Sequence, residues 1–393
     1  MNLIKISIKN ITSKPYPAIL TLIMLTMGVA LASLLVLVGG ALDDGFKKNI
    51  RGVDMVVGAK GSPLQLILSA VYQIDNPTGN IPMAEAEQLA KNRLIESTIQ
   101  LSYGDSYKGR RIIGTSHDYL ELYDANLTEG ELYQAPFEAV VGSIVAAESN
   151  LEVGDEFYSA HGADEGGEKH EDHPFLVKGI LEPSGSVLDK LILTKPESIW
   201  EVHSHEGDTA EKEITAMLVK FKNKMGMISL PRIVNERTSM QAALPSIEVN
   251  RLFELFAIGI STLRIVALCV LFLGAVSIFV SMINSLKDRV FELALIRSMG
   301  ATRFQVFLMI VTEAMVLSIL GIFLGLLVSH LGILALNDYA SDQFGISISL
   351  FKLSPGEWLI ILVTLALSLL AALLPAIRTL KIDVSKVLSS HVK

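Results

Sequence analysis

Five of the eight histidines fall in two short stretches. These are His161-Gly162-Ala163-Asp164-Glu165-Gly166-Gly167-Glu168-Lys169-His170-Glu171-Asp172-His173 and His203-Ser204-His205. Imidazole and carboxylate groups ligate zinc and similar ions. His170 and His173, at i and i+3, share a face if that stretch is helical. His203 and His205, at i and i+2, share a face of a strand. His161, His170, His173, His203 and His205 are therefore the candidate metal ligands, and zinc the candidate cofactor. A solvated acidic loop would show the same glycine-rich, charged composition, so both readings stand. No H-E-x-x-H occurs and no general base stands out, which argues against a catalytic metal.

Phosphate chemistry is poorly served by this chain. No G-x-x-x-x-G-K-[ST] is present. Val57-Gly58-Ala59-Lys60-Gly61-Ser62 has the wrong spacing for a phosphate loop and reads as a strand followed by a tight turn. The chain is expected to bind no ATP and to catalyse nothing itself. No basic patch with interleaved aromatics points to nucleic acid.

A third group of residues lies between two apolar runs, in Lys287-Asp288-Arg289-Val290-Phe291-Glu292-Leu293-Ala294-Leu295-Ile296-Arg297-Ser298-Met299-Gly300-Ala301-Thr302-Arg303. This reads as a short charged helix. Gly300 is placed to end it in the left-handed conformation. Thr302 and Gln305 form a capping box that starts the next helix. Arg289, Glu292 and Arg297 are its candidate contact residues.

The elements that position these residues follow from composition. Half of the residues are apolar and the net charge is −8. The apolar residues concentrate at the start and in the last third, as in a membrane protein with one large aqueous insert. A span needs about 20 mostly apolar residues, and four runs qualify: Tyr16 to Leu42, Ile265 to Leu286, Val306 to Leu336 and Trp358 to Ile377. The first has a basic start but is too long for a signal core, and reads as an uncleaved anchor. The only cysteine, Cys269, lies in the second run, so no disulfide framework exists.

Lys and Arg cluster in short segments at 1–16, at 287–303 and in the tail. That predicts cytoplasmic termini and a cytoplasmic charged segment, with 43–264 outside. Within the spans, Glu313 reads as the deep carboxylate. It would satisfy hydrogen bonds at a helix interface, where Gly321 and Gly325 allow close backbone approach. Paired broken helices, which mark a midplane solute site, are missing.

The external insert reads as mixed strands and helices. Ala139 to Ala147 is a strand turning into a helix, and Leu151 to Phe157 a turn into a strand. Phe175–Leu181 and Ala216–Phe221 are further strands, and Pro245 begins a long helix into the second span. The predicted fold is membrane α-helical, four transmembrane helices with a large α+β extracytoplasmic domain between helices 1 and 2. The segments are 1–15, an amphipathic surface helix; 16–42, span one; 43–250, the external domain; and 251–286, a stalk helix and span two. They continue as 287–305, the coupling helix; 306–336, span three; 337–357, a short external loop; 358–377, span four; and 378–393, a cytoplasmic tail.

The pattern R-x-x-E-x-A-x-x-R-x-x-G-A at 289–301 resembles the coupling segment of the MacB/FtsX/Lol permeases of ABC transporters. So do Gly321-x-x-x-Gly325-x-x-x-Ser329 after Glu313-Ala314, and Leu374-Pro375-Ala376-Ile377-Arg378 at the end of span four. The strand order of the insert is similar to the MacB-type periplasmic core. The resemblance implies a separate ABC ATPase docking at Arg289, Glu292, Arg297 and Gly300, a second permease copy, and a bacterial inner-membrane location. It implies mechanotransmission, the relay of ATP-driven movement to the periplasmic domain, with links to efflux or lipoprotein handling. Members often carry Asp-Pro where this chain has Asp383-Val384. Segments 57–69, 77–82 and 197–203, together with the histidine loop at 161–173, resemble a subgroup from zinc-responsive gene clusters. Two alternatives stay open: an FtsX-like signalling protein that activates a periplasmic hydrolase, and a membrane-anchored metalloenzyme.

Overall fold

The computed structural model describes residues 9, 15–160, 173–203, 212–344 and 353–380. The chain opens with α1 (Pro15–Asn49), β1 (Met55–Ala59), α2 (Pro63–Ala70), β2 (Ile81–Pro82) and α3 (Met83–Ala90). There follow β3 (Ile95–Tyr107), β4 (Arg110–Thr115), α4 (Asp118–Leu122), β5 (Leu127–Gly130), β6 (Glu138–Val141) and α5 (Ser143–Ser149). Next come β7 (Glu156–Phe157), β8 (Phe175–Leu181), a 3-10 turn at Val187–Lys190, β9 (Ile192–Thr194) and α6 (Pro196–His203). The chain continues with β10 (Glu213–Ile214), β11 (Ala216–Phe221), α7 (Lys224–Arg237) and β12 (Met240–Ala243). It closes with α8 (Pro245–Ser298), α9 (Arg303–Phe344) and α10 (Pro355–Leu380).

These elements form two compact units. One comprises Met1–Ala41, Phe256–Asp338 and Ile348–Lys393; the other Leu42–Leu255 and Tyr339–Ser347. The second unit is built on a sheet with the strand order β12-β1-β11-β3-β4-β9-β6-β8-β5, with β7 also paired to β8. Pairing is antiparallel except at β4–β9 and β6–β8, which are parallel. Strand alternation divides the core. Val56, Leu101, Ile113 and Leu218 pack on one face. Met55, Val57, Met217 and Val219 pack on the other, under α7. The run around 57–62 is the end of β1 and the start of α2, where the Ser62 hydroxyl caps Gln65 N–H.

The first unit is helical. Its stretches Pro15–Ala41, Ser261–Lys287, Arg303–Ala335 and Pro355–Leu380 are each long and apolar enough to cross a membrane. Ala18, Leu25, Ile278, Met282, Ile310, Ala314, Leu317, Ala372 and Ala376 form one shared core among them. Four of these nine are alanines, which let the helix backbones approach closely where lipid removes the hydrophobic drive.

One expectation changes. The charged segment is not a separate helix, because α8 runs for 54 residues from Pro245 to Ser298 without a break. Lys287 to Ser298 holds no glycine or proline and is rich in helix formers, so the helix of the second span continues through it. The surface helix expected at the start and the tail beyond Leu380 fall almost entirely outside the described residues.

Candidate functional site

The turn between α8 and α9 is built by local chemistry. Gly300 has φ +106°, a conformation that only glycine enters readily. Around it, Ala301 N–H donates to the Ile296 carbonyl at 3.2 Å and Gly300 N–H to the Arg297 carbonyl at 3.1 Å. Those two bonds make a Schellman motif and satisfy the last carbonyls of the helix. The next helix begins with a reciprocal box. Thr302 N–H donates to Gln305 Oε1 at 2.9 Å, and Gln305 N–H to Thr302 Oγ1 at 3.2 Å. Two helices are thereby clamped into a tight hairpin without loop residues to spare.

Glu292, Phe291, Leu295 and Met299 are exposed on the last turns of α8, and Phe304 is exposed at the start of α9. Arg297 is half-buried. Arg289 is placed differently from an outward contact residue. Its guanidinium reaches Glu292 Oε2 at 3.1 Å, one helical turn on, and lies 3.5 Å from Glu313 Oε2 on α9. Its side chain is only 12% exposed, against 62% for Glu292. Arg289 therefore links Glu292 at the surface to Glu313 in the interior. Met282, Ser285, Leu286, Leu293, Met309 and Ile310 complete the lining of a cavity of about 10 Å³ beside the pair. That is room for about one water.

Further along α9, Gly321 and Gly325 lie against α1. A Cβ at Gly321 would sit 2.7 Å from the Leu25 Cβ. One at Gly325 would sit 2.6 Å from the Val29 Cβ and 3.0 Å from the Thr26 carbonyl oxygen. Both positions bring the helices closer than any larger residue permits.

The structure adds a second buried carboxylate that the span pattern hides. Glu357 is fully buried. It sits in the first turn of α10, just before the apolar run from Trp358, so hydropathy assigns it to the loop. Its signal is Ser354-Pro355-Gly356-Glu357, an S-x-x-E box with proline at the first helical position. The box forms: Ser354 N–H donates to Glu357 Oε2 at 2.8 Å and Glu357 N–H to Ser354 Oγ at 3.3 Å.

The candidate metal ligands are mostly beyond view. His161, His170 and His205 lie outside the described residues, as does the side chain of His203. His173 is described, and its ring stacks on Phe137 at 5.0 Å between centroids with 5° between planes. Among the described residues, no group of three or more His, Cys, Asp or Glu side chains is placed to hold a metal.

Comparison with known proteins covers both units. A MacB-like periplasmic core domain family model matches residues 18–226, and an FtsX-like permease C-terminal model matches residues 264–384. Among solved structures, the chain is 15% identical to the periplasmic region of MacB from Actinobacillus actinomycetemcomitans, with a TM-score of 0.37. That match covers 53% of this chain and 97% of that one. It is 11% identical to the extracellular domain of the noncanonic ABC-type transporter YknZ from Gram-positive bacteria, with a TM-score of 0.32. There the match covers 48% of this chain and 98% of the other. No curated relative matches the sequence.

Proposed function

Because this chain belongs to the MacB/FtsX-type family of ABC-transporter permeases, we propose that it relays movement from a separate ABC ATPase to its external domain. Permeases of this family work with an ABC ATPase and typically dimerise. The observation that carries the reading is the hairpin at Gly300. It is rigidly capped at both helix ends, and it presents Phe291, Glu292, Leu295, Met299 and Phe304 on one connection between two membrane helices. A docking element must transmit force without deforming, and the two caps meet that need.

Orientation follows from charge. Lys287, Arg289, Arg297 and Arg303 surround the hairpin, and this clustering of positive charge supports a cytoplasmic hairpin, with both termini on the same side, in a bacterial inner-membrane protein. Residues 43–264 are then periplasmic. Two helices, α1 and α8, contribute residues to both units, and α8 ends at the hairpin, so movement there has one covalent route through continuous helix. The external domain then acts on a periplasmic substrate or partner protein.

The test reverses charge at the hairpin in the complex with the ATPase. Glu292→Arg and Arg297→Glu are expected to uncouple ATP hydrolysis from movement of the external domain, read as a distance change between spin labels. Thermal stability should stay near wild type. Full coupling in both variants would overturn the assignment.

A further inference from the structure

In the external domain, β3 is longer than the neighbour that covers it. Its pairing with β4 ends at Leu101 and Thr115, because the chain turns away after Thr115 into α4. Its pairing with β11 continues back through Thr98 to Ile95. From Ile95 to Gln100, β3 therefore has one partner strand among the described residues and one open edge. Register decides which main-chain groups face that edge. The Asp54 N–H donates to the Val219 carbonyl at 3.0 Å, so Val219 turns its main chain away from β3. Thr98 pairs with Val219, and so turns its own N–H and C=O away from β11 and toward the opening. Gln100 faces the same way, and the Thr115 hydroxyl donates to its carbonyl at 2.8 Å.

A cavity of about 360 Å³ lies at this opening, within the range of about 300–1,000 Å³ usual for ligand pockets. Thr98 and Gln100 line it from the strand, and Lys195 and Glu197 from the start of α6. His117 and Tyr133 line it from the segments after β4 and before β6. Tyr133 is the one Phe, Tyr or Trp among the described lining residues, and it offers no stacking face. It is buried, its hydroxyl donates to the Thr115 carbonyl at 2.9 Å, and the His117 ring packs edge-on against it. His117 Nε2 lies 2.8 Å from the Tyr133 carbonyl oxygen. A carbonyl only accepts, so Nε2 carries the hydrogen and Nδ1 of the neutral ring is an acceptor. Lys195 adds donors and Glu197 acceptors, and their charges offset. Donors and acceptors in alternation, without net charge, match the main chain of an extended peptide.

We propose that the open edge of β3 at Thr98 binds an extended, uncharged segment of a partner protein, which pairs with it as an added strand. An unpaired edge is a template for another chain, and proteins usually block one with lysine or proline. Ile95 to Gln100 contains neither, and its one charged residue, Glu96, is held by Lys220 at 2.8 Å. Thr98 supplies an N–H and a C=O to the incoming strand, and the polar walls of the cavity receive its side chains. The proposal extends the relay reading by naming what the external domain takes hold of. Peptide binding needs no ATPase, so its failure and the failure of the relay are read separately.

The test pans a display library of short peptides without charged residues against the purified full chain in detergent. Peptides that enrich should bind Thr98→Pro about tenfold more weakly than wild type, because the variant lacks the edge N–H. Proline is tolerated at a strand edge, and this N–H takes no part in the ladder to β11. Thr98→Val keeps the main chain and should bind as wild type does. Methylating alternate amide nitrogens of an enriched peptide should cost a similar factor, and this tests the same bonds on the wild-type chain where Thr98→Pro folds poorly. Hydrogen exchange at the Thr98 amide should be fast in the peptide-free chain and slow once peptide is bound. The proposal is overturned if no peptide enriches, if enriched peptides bind Thr98→Pro as well as wild type, or if methylation has no effect. A Thr98 amide already protected without peptide, or a dimer that Thr98→Pro splits into monomers, would give the edge to this chain itself and overturn it too.

Discussion

Arg289 on α8 and Glu313 on α9 form an ion pair at 3.5 Å, with side chains 12% and 7% exposed. The pair ties the last turns of the second span's helix to the third, directly behind the capped hairpin. A force applied to Glu292 therefore has a charged route, through Arg289, into the interior of the bundle.

Removing one member should hurt more than removing both. Arg289→Ala or Glu313→Ala takes one partner from this largely buried pair, a loss on the order of 3–5 kcal/mol for fully buried pairs and less at this partly accessible one, where Arg289 also keeps Glu292. The double variant Arg289→Met, Glu313→Met should be closer to wild type than either single. Thermal unfolding of the purified chain in detergent measures all three. Additive losses would show that the two side chains act independently.

Gly325 should resist enlargement where Gly259 accepts it. Alanine at 325 meets the Val29 Cβ at 2.6 Å and the Thr26 carbonyl oxygen at 3.0 Å, and a backbone atom cannot step aside. Gly325→Ala should lower stability by roughly 1–3 kcal/mol, the usual range for overpacking. Gly259 has nothing within 4 Å of a built Cβ, and its alanine variant should be neutral or gain up to about 1 kcal/mol from helix propensity. The same melting experiment distinguishes them.

Glu138 should make the external domain acid-sensitive. Its Oε2 accepts the N–H groups of Gln134 at 2.6 Å and Ala135 at 2.9 Å, and its Oε1 lies 3.6 Å from Lys178 Nζ. The backbone donors first, and the lysine after them, hold its carboxyl below the usual carboxylate range. A depressed value means stability that is present above about pH 4.3, the ordinary glutamate value, and is lost as pH falls through the folded one. Glu138→Gln should be less stable than wild type at neutral pH, and the gap should close in acid. Urea unfolding of residues 42–255 at several pH values reads it, and a gap independent of pH would remove the charge from the explanation.

Zinc binding at the histidine-rich stretch is expected to depend on neutral imidazole. Affinity should drop as pH falls below about 6.5. Calorimetry with zinc on the external domain should give micromolar or tighter binding that vanishes in the His170→Ala, His173→Ala double variant. Heat no greater than that of a histidine-free control would leave the stretch a solvated insert.

Local signals account for much of what is legible in the chain. Gly300, the Thr302–Gln305 box, the strands at Phe175–Leu181 and Ala216–Phe221, and the four apolar runs all arise from residues within a few positions of one another. Their physics is carried by φ, by caps and by periodicity, so spacing suffices to find them. The break expected at Lys287 fails for a related reason. A change from apolar to charged residues alters what a helix faces, not whether it is helical, and only Gly300 can stop it.

What tertiary structure decided is which distant side chains share a buried place. Ser33 and Glu357 are 324 residues apart, yet they hydrogen-bond at 2.7 Å. Arg289 reads as a surface contact in the sequence and in the folded chain turns toward Glu313. Strand β4 runs parallel to β9 although long segments separate them. Hydropathy and spacing specify what each segment prefers by itself. A buried charge takes whichever partner packing brings within reach, and that choice exists only once the helices and strands have assembled.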